Sequence, residues 1–479
     1  MFDVGGSMSD VGFRMSDVNG SMSELLCRKL NTYFRVTLTF HFFHPRVFFL
    51  HLSPNLQPLT PNSQSLLMYK YHELKNGIRL VHRQQRGEVA HLGVIIHSGS
   101  RDEMPDQQGM AHFIEHLIFK GTQKRSNFQV LSRLENVGAD LNAFTTKEDT
   151  SIYASILSRY YRRAAELLSD IVFHSVFPEK EIEKEKAVVI DEINSYKDNP
   201  AEWIHDEFDE LVFKDHPLGR NILGTKEKLK SYNRSDVLRF RDANYIPSRV
   251  VITSVADFPL SKAIAVAEKY FASVIADHSP MQRQPFSVYS PSSVTRKYSR
   301  HQAHVVIGNL ACSAHDERRY AMALLNNILG GPAMNSRLNI ALRERNGIAY
   351  NLESNYQPFS DTGLLSIYCG TDEILMSRAI ELIHKELNKF RTVGLTTVGL
   401  HTAKQQLKGQ LAISLESHQN EMLTMGKSLL VYGKIDSVEE LYRKVDAISA
   451  VNLLDMANEV FDPLCLSTLI FNNQEPAIR

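Results

Sequence analysis

Residues 109–122 read "GMAHFIEHLIFKGT", and the rest of the chain is organised around this stretch. Met110, Phe113, Ile114, Leu117 and Ile118 recur at helical spacing, which predicts a buried helix over about residues 108–119. Strand signals flank it. "YHELKNGIRLVHR" (71–83) reads as a hairpin turning at Asn76-Gly77, and "HLGVIIHSGS" (91–100) as a buried strand. "ADLNAFTTKEDTSIYASIL" (139–157) alternates and is rich in Thr, Ile and Tyr, as a pair of strands should be. Further helices are predicted over 127–137, 160–173 and 178–196.

The same order returns downstream. "HVVIG" (304–308) echoes "HLGVI" (91–95), "YAMALLNNILGG" (320–331) echoes the opening helix, and "LLSIYCG" (364–370) echoes "TSIYASI" (150–156). Three echoes at nearly one offset imply a duplication. The expected fold is α+β: two homologous sandwich-like halves, each an antiparallel-rich sheet with helices packed on it, facing each other as a clamshell. The expected boundaries are residues 68–275 for the first half, 276–297 for a Ser/Pro-rich linker and 298–479 for the second half. The His and Glu residues of the first helix have no counterparts in the second half, so the chemistry is expected in one half.

Residues 1–67 look different. Met recurs at 1, 8, 15 and 22, and Asp-Val at 3–4, 10–11 and 17–18, in a Gly/Ser/Asp background that favours turns over a coiled coil. This segment is expected to lie outside the folded unit, with Met68 as an alternative start. The apolar run 36–52 carries His41, His44, Pro45, Arg46 and His51, which makes a membrane span costly.

Lys+Arg and Asp+Glu both total 54, so the chain has no net field for a phosphate backbone, and nucleic-acid binding is not expected. The four cysteines form no CxxC pair, which argues against a disulfide framework or a cysteine-based zinc finger and fits a reducing compartment. A cytoplasmic location is expected, with the mitochondrial matrix and the periplasm as alternatives.

Within the opening helix, His112, Glu115 and His116 form an H-x-x-E-H array. Residues four apart differ by roughly 40° around a helix, so both imidazoles share a face and can grip one zinc ion. Glu115 flanks that face, where a general base toward a zinc-activated water should stand. A third protein ligand is needed. The segment "PEKEIEKEKAVVIDEINSYKDNP" (178–200) offers Glu185 and Glu192 on one face, and spacing alone leaves Glu181, Glu183 and Asp191 open as well.

With these residues in view, the chain from Tyr69 to about Phe471 resembles the pitrilysin-type inverzincin metallopeptidases, relatives of insulin-degrading enzyme and mitochondrial processing peptidase, and most closely their short members. The resemblance implies Glu192 as the third ligand to one Zn2+ per chain, with Glu185 assisting and not ligating. It implies that Arg343 and Tyr350, in "LRERNGIAYN" (342–351), reach the active site to bind the substrate carbonyl and support the oxyanion. It also implies that the strand around Asn142 and Ala143 pairs with an extended peptide. The expected function is a zinc endopeptidase acting on unfolded peptides or targeting extensions, working as a homodimer, with no membrane span. A non-catalytic scaffold subunit of the same fold is the alternative.

Overall fold

A computed structural model describes residues 69–277, 279–298 and 302–473. The repeat, the apolar run 36–52 and Met68 therefore lie outside the described residues. Two sheets organise the rest. The first contains β1 (Tyr69–Glu73), β2 (Arg79–Gln84), β3 (Val89–Ile96), β4 (Asp140–Thr145), β5 (Thr150–Leu157) and β6 (Val250–Ala256), in the order β1-β2-β6-β3-β5-β4. The second contains β7 (Ser293–Lys297), β8 (Gln302–Ala311), β9 (Ala349–Pro358), β10 (Gly363–Asp372) and β11 (Ser467–Asn472), in the order β7-β11-β8-β10-β9.

The two orders are one topology. In each sheet the last strand of the half pairs in parallel with its first or second strand (β2·β6, β7·β11), and every other pairing is antiparallel. The hairpin read at Asn76-Gly77 is present, with Gly77 at φ 89°, a conformation a Cβ would oppose. The opening helix runs Met110–Leu117, slightly shorter than its apolar pattern, and the helix Arg319–Gly330 takes the matching place in the second half.

The central strands are covered on both faces, which is why β6 ("VVITSVA") is buried at every residue and reads as a continuous apolar run. One face of the first sheet packs on helices of its own half, with Phe113, Leu117, Leu168, Ile182 and Phe271 in that core. The other face is covered by the helix His418–Tyr432, from far along the chain. Its Met422, Met425 and Leu429 lie on Val81, Ile95, Tyr153 and Val251. The approach is close: a Cβ on Gly426 would stand 2.3 Å from Ile95 Cδ1.

The exchange is reciprocal. The helix Pro200–Val212, which follows the carboxylate-rich helix Glu179–Lys197, lies on the second sheet. There Ile204, Phe208 and Val212 meet Val306, Leu364, Tyr368, Leu469 and Phe471. Each buried aromatic or aliphatic side chain of this kind contributes about 1.5–3 kcal/mol, so the exchange binds the halves firmly.

A buried ionic cluster adds direction. Arg101 binds Asp361 through both terminal nitrogens (2.6 and 2.7 Å) and Glu148 at 2.7 Å. Arg283, in the stretch between the two sheets, pairs with both oxygens of Asp102. Among the described residues, no helix is long and apolar enough to cross a membrane. Cys312 and Cys369 are buried free thiols.

Candidate metal centre

The helix Met110–Leu117 starts at Gly109, whose φ of 88° gives the chain a sharp entry and whose missing side chain offers no cap. The cap comes from elsewhere. Glu103, almost wholly buried, accepts the N–H groups of Gly109 and Ala111, both at 2.9 Å. Tyr232 donates its hydroxyl to the Gln108 carbonyl at 2.7 Å. A Cβ on Gly109 would meet the Leu223 carbonyl oxygen at 2.6 Å, so the helix start is seated against the segment ahead of residue 226. This seating fixes where the first turn points.

On that first turn His112 and, one turn later, His116 stand with ring centroids 4.7 Å apart. Across from them is the helix Glu179–Lys197. Glu192 Oε2 lies 3.4 Å from His116 Nε2 and 3.8 Å from His112 Nε2. One ligand atom from each of His112, His116 and Glu192 falls within 4.8 Å of the others, and among the described residues no other group of three such side chains meets this criterion. Of the remaining carboxylates on that helix, Glu181 and Glu183 pair with Lys184 and Lys186, and Asp191 faces solvent. Glu185 is buried, and its Oε2 meets His116 Nδ1 at 3.2 Å while its Oε1 meets Lys120 Nζ at 2.6 Å.

These residues fit a zinc ion. A tetrahedral site with bonds of about 2.0–2.1 Å sets its ligand atoms about 3.3 Å apart; Glu192 stands at 3.4 Å from His116 and, somewhat wider, at 3.8 Å from His112. The donors are two imidazoles and a carboxylate, the types zinc prefers. Among the described residues, the buried His112 Nδ1 and Glu115 Oε2 have no hydrogen-bond partner, so the cluster is not closed upon itself.

The electrostatics point the same way. Burial depresses His112, with the neighbouring His116 adding to this and Glu192 opposing it. Burial also opposes charge on His116, yet Glu185 and Glu192 override it and hold that ring at about 10. Glu192, despite burial, is drawn down to about 2 by His112 and His116. The two carboxylates thus favour positive charge at His116, while burial favours the neutral form of His112, the form that can ligate a metal. Glu115 stands beside it, one turn from His112, near Tyr153 and Tyr245. Burial raises both phenols, and the Glu115 charge adds to the effect.

Two family models match the chain, and they meet near residue 230, ahead of β6 of the first sheet. Residues 79–226 match the insulinase (peptidase family M16) domain, and residues 231–407 match the peptidase M16 inactive domain. The chain belongs to the M16 peptidase family. Among M16 relatives, YmxG of Bacillus subtilis, described as an uncharacterized zinc protease, is 35% identical over 395 residues, covering 82% of this chain and 96% of that protein. An uncharacterized zinc protease of Rickettsia bellii is 30% identical, covering 85% and 98%. The fold matches a Helicobacter pylori protease structure with a TM-score of 0.78 at 20% identity, over 85% of this chain and 99% of that one.

The other residues implied by the resemblance to M16 fall in two groups. Asn142 and Ala143 lie on β4, the outermost strand of the first sheet, which pairs with β5 on one side and packs beside the helix Met110–Leu117. Asn142 bonds Asp140 at 2.8 Å. Arg343 and Tyr350 are not brought to the cluster by any hydrogen bond or ion pair among the described residues. Arg343 is exposed on the π-helical segment Asn339–Glu344, and Tyr350, 55% exposed on β9, gives its hydroxyl to Asp372 at 2.9 Å.

Glu103 and Lys120 were not singled out by the sequence. Lys120 follows His116 by one helical turn, a spacing that could have flagged it. Glu103 caps across an irregular loop, for which no periodic signal exists.

Proposed function

We propose that this chain is a zinc-dependent endopeptidase that hydrolyses unfolded peptides or targeting extensions. The observation that carries the reading is the convergence of His112 Nε2, His116 Nε2 and the Glu192 carboxylate on one point. These three residues would hold one zinc ion per chain, which when bound supplies Lewis-acid polarisation of water and of the scissile carbonyl.

The chain's own residues do the rest. Glu115, with a buried oxygen that has no hydrogen-bond partner among the described residues, takes a proton from the attacking water and returns it to the leaving amine. Glu185 orients His116 without ligating. The free edge of β4 at Asn142 and Ala143 offers unpaired main-chain groups to an extended peptide, laying it beside the helix that carries Glu115. Tyr350 donates to the developing oxyanion and Arg343 binds a substrate carbonyl. Both are exposed and remote in bonding from this chain's own cluster, so we assign them to the site of a second copy in a homodimer. All the chemical positions are filled, which favours an enzyme over a scaffold subunit.

Replacing Glu115 with Gln tests the reading. The variant is expected to retain its zinc and to lose about two orders of magnitude or more in cleavage of an unstructured peptide. Full activity in that variant would end the proposal.

A further inference from the structure

The contacts that steady the metal centre run one step beyond Glu185. We propose that Lys120 is a positioning residue of this centre: its ammonium fixes the Glu185 carboxylate, and the carboxylate fixes the His116 ring so that Nε2 faces the metal. The inference rests on the zinc reading above.

The geometry is a chain with no slack. Lys120 Nζ is 2.6 Å from Glu185 Oε1, Glu185 Oε2 is 3.2 Å from His116 Nδ1, and His116 Nε2 is 3.4 Å from Glu192. Glu185 uses one oxygen for each partner, so swinging away from Lys120 also breaks its contact with His116. An imidazole that gives its Nδ1–H to a carboxylate keeps the Nε2 lone pair for a metal, and such partners typically change metal affinity 10–100-fold.

Lys120 is itself held. Its N–H bonds the Leu117 carbonyl at 3.0 Å, at the end of the same helix that carries His116. The loop beyond is pinned by bridges from Gly121 to Ser126 and from Thr122 to Ser175, by Thr122 Oγ1 on Asp170 (2.7 Å), and by Arg125 on Glu166 and Asp170. A merely solvated ion pair would be exposed and worth almost nothing. Here the Lys120 side chain is 21% exposed and that of Glu185 8%.

The test uses the full chain stripped of metal with a chelator. Zinc affinity is measured by competition with a chromophoric chelator, and the coordination sphere is read from the visible absorption of the cobalt-substituted protein. Lys120→Met is expected to weaken zinc binding roughly tenfold and to shift the cobalt bands. Cleavage should lose kcat with KM little changed. Lys120→Arg should restore affinity to within about threefold, because it returns a cation to Glu185. In a Glu185→Gln background, adding Lys120→Met should cost less than about twofold, since the two act through one contact. Should Lys120→Met fail to fold, Lys120→Gln is read by the same measures. Wild-type affinity and cobalt spectrum in a folded Lys120→Met protein would overturn the positioning role alone. A wild-type chain that takes up no zinc would overturn the metal reading and this inference together.

Discussion

Glu103 offers a sharp test of how the centre is held, because it touches no proposed ligand yet caps the helix that carries two of them. Its two oxygens accept the Gly109 and Ala111 N–H groups, each at 2.9 Å, at a helix start whose own N-cap residue is glycine. Glu103→Ala leaves two N–H groups without partners in a buried setting. Each such orphan costs about 1–3 kcal/mol, and removing a buried carboxyl returns part of that by sparing its desolvation. A net loss of about 3 kcal/mol follows, with Glu103→Gln intermediate because its amide nitrogen, unlike a carboxyl's second oxygen, cannot accept the second N–H. Urea unfolding of the metal-free protein, followed by circular dichroism, reads this as a lower midpoint at unchanged slope. A loss below about 1 kcal/mol would refute the reasoning, since it would mean the helix start is held by Tyr232 and the Gly109 packing alone.

Further expectations follow from the same structure. Burial pushes the Glu103 carboxyl up to about 8, so the folded chain holds a proton there that the unfolded chain releases above its ordinary value near 4.5. The stability linked to this group is complete below pH 4.5 and lost as pH rises through 8. The stability difference between wild type and Glu103→Gln, measured by urea unfolding, should therefore shrink from pH 5 to pH 8.5, and a difference that grows over that range would contradict the assignment. Mixing Glu115→Gln subunits with Tyr350→Phe subunits tests the second-copy assignment. With sites completed across the dimer, a randomly mixed population should regain about a quarter of wild-type activity, whereas sites completed within one chain would regain none.

The features legible in the sequence share one property, which is regular spacing. His112, Glu115 and His116 announce themselves because a helix turns apolar spacing into faces, and the echoes between halves announce the matching sheets. Glu192 and Glu185 share a helical face, but choosing Glu192 as ligand took a family resemblance, because the partner helix is brought up by tertiary packing. The exchange of helices was not legible. The patterns of 200–212 and 418–432 show that a face is buried without showing which sheet buries it. Residues 276–297 read as a linker from their Ser and Pro content, which gives no sign that Arg283 locks onto both oxygens of Asp102 or that Ser293–Lys297 form β7. Contacts between irregular segments, such as Glu103 to Gly109, have no period to read.

The central claim is that His112, His116 and Glu192 together grip one metal ion. Elemental analysis of the purified chain, beside Glu192→Gln and His116→Ala prepared identically, tests it most directly. One zinc per wild-type chain is expected, with stoichiometry lost in both variants while each stays folded; a folded wild type without zinc, or a Glu192→Gln protein that keeps a full complement, would contradict the proposed ligand set.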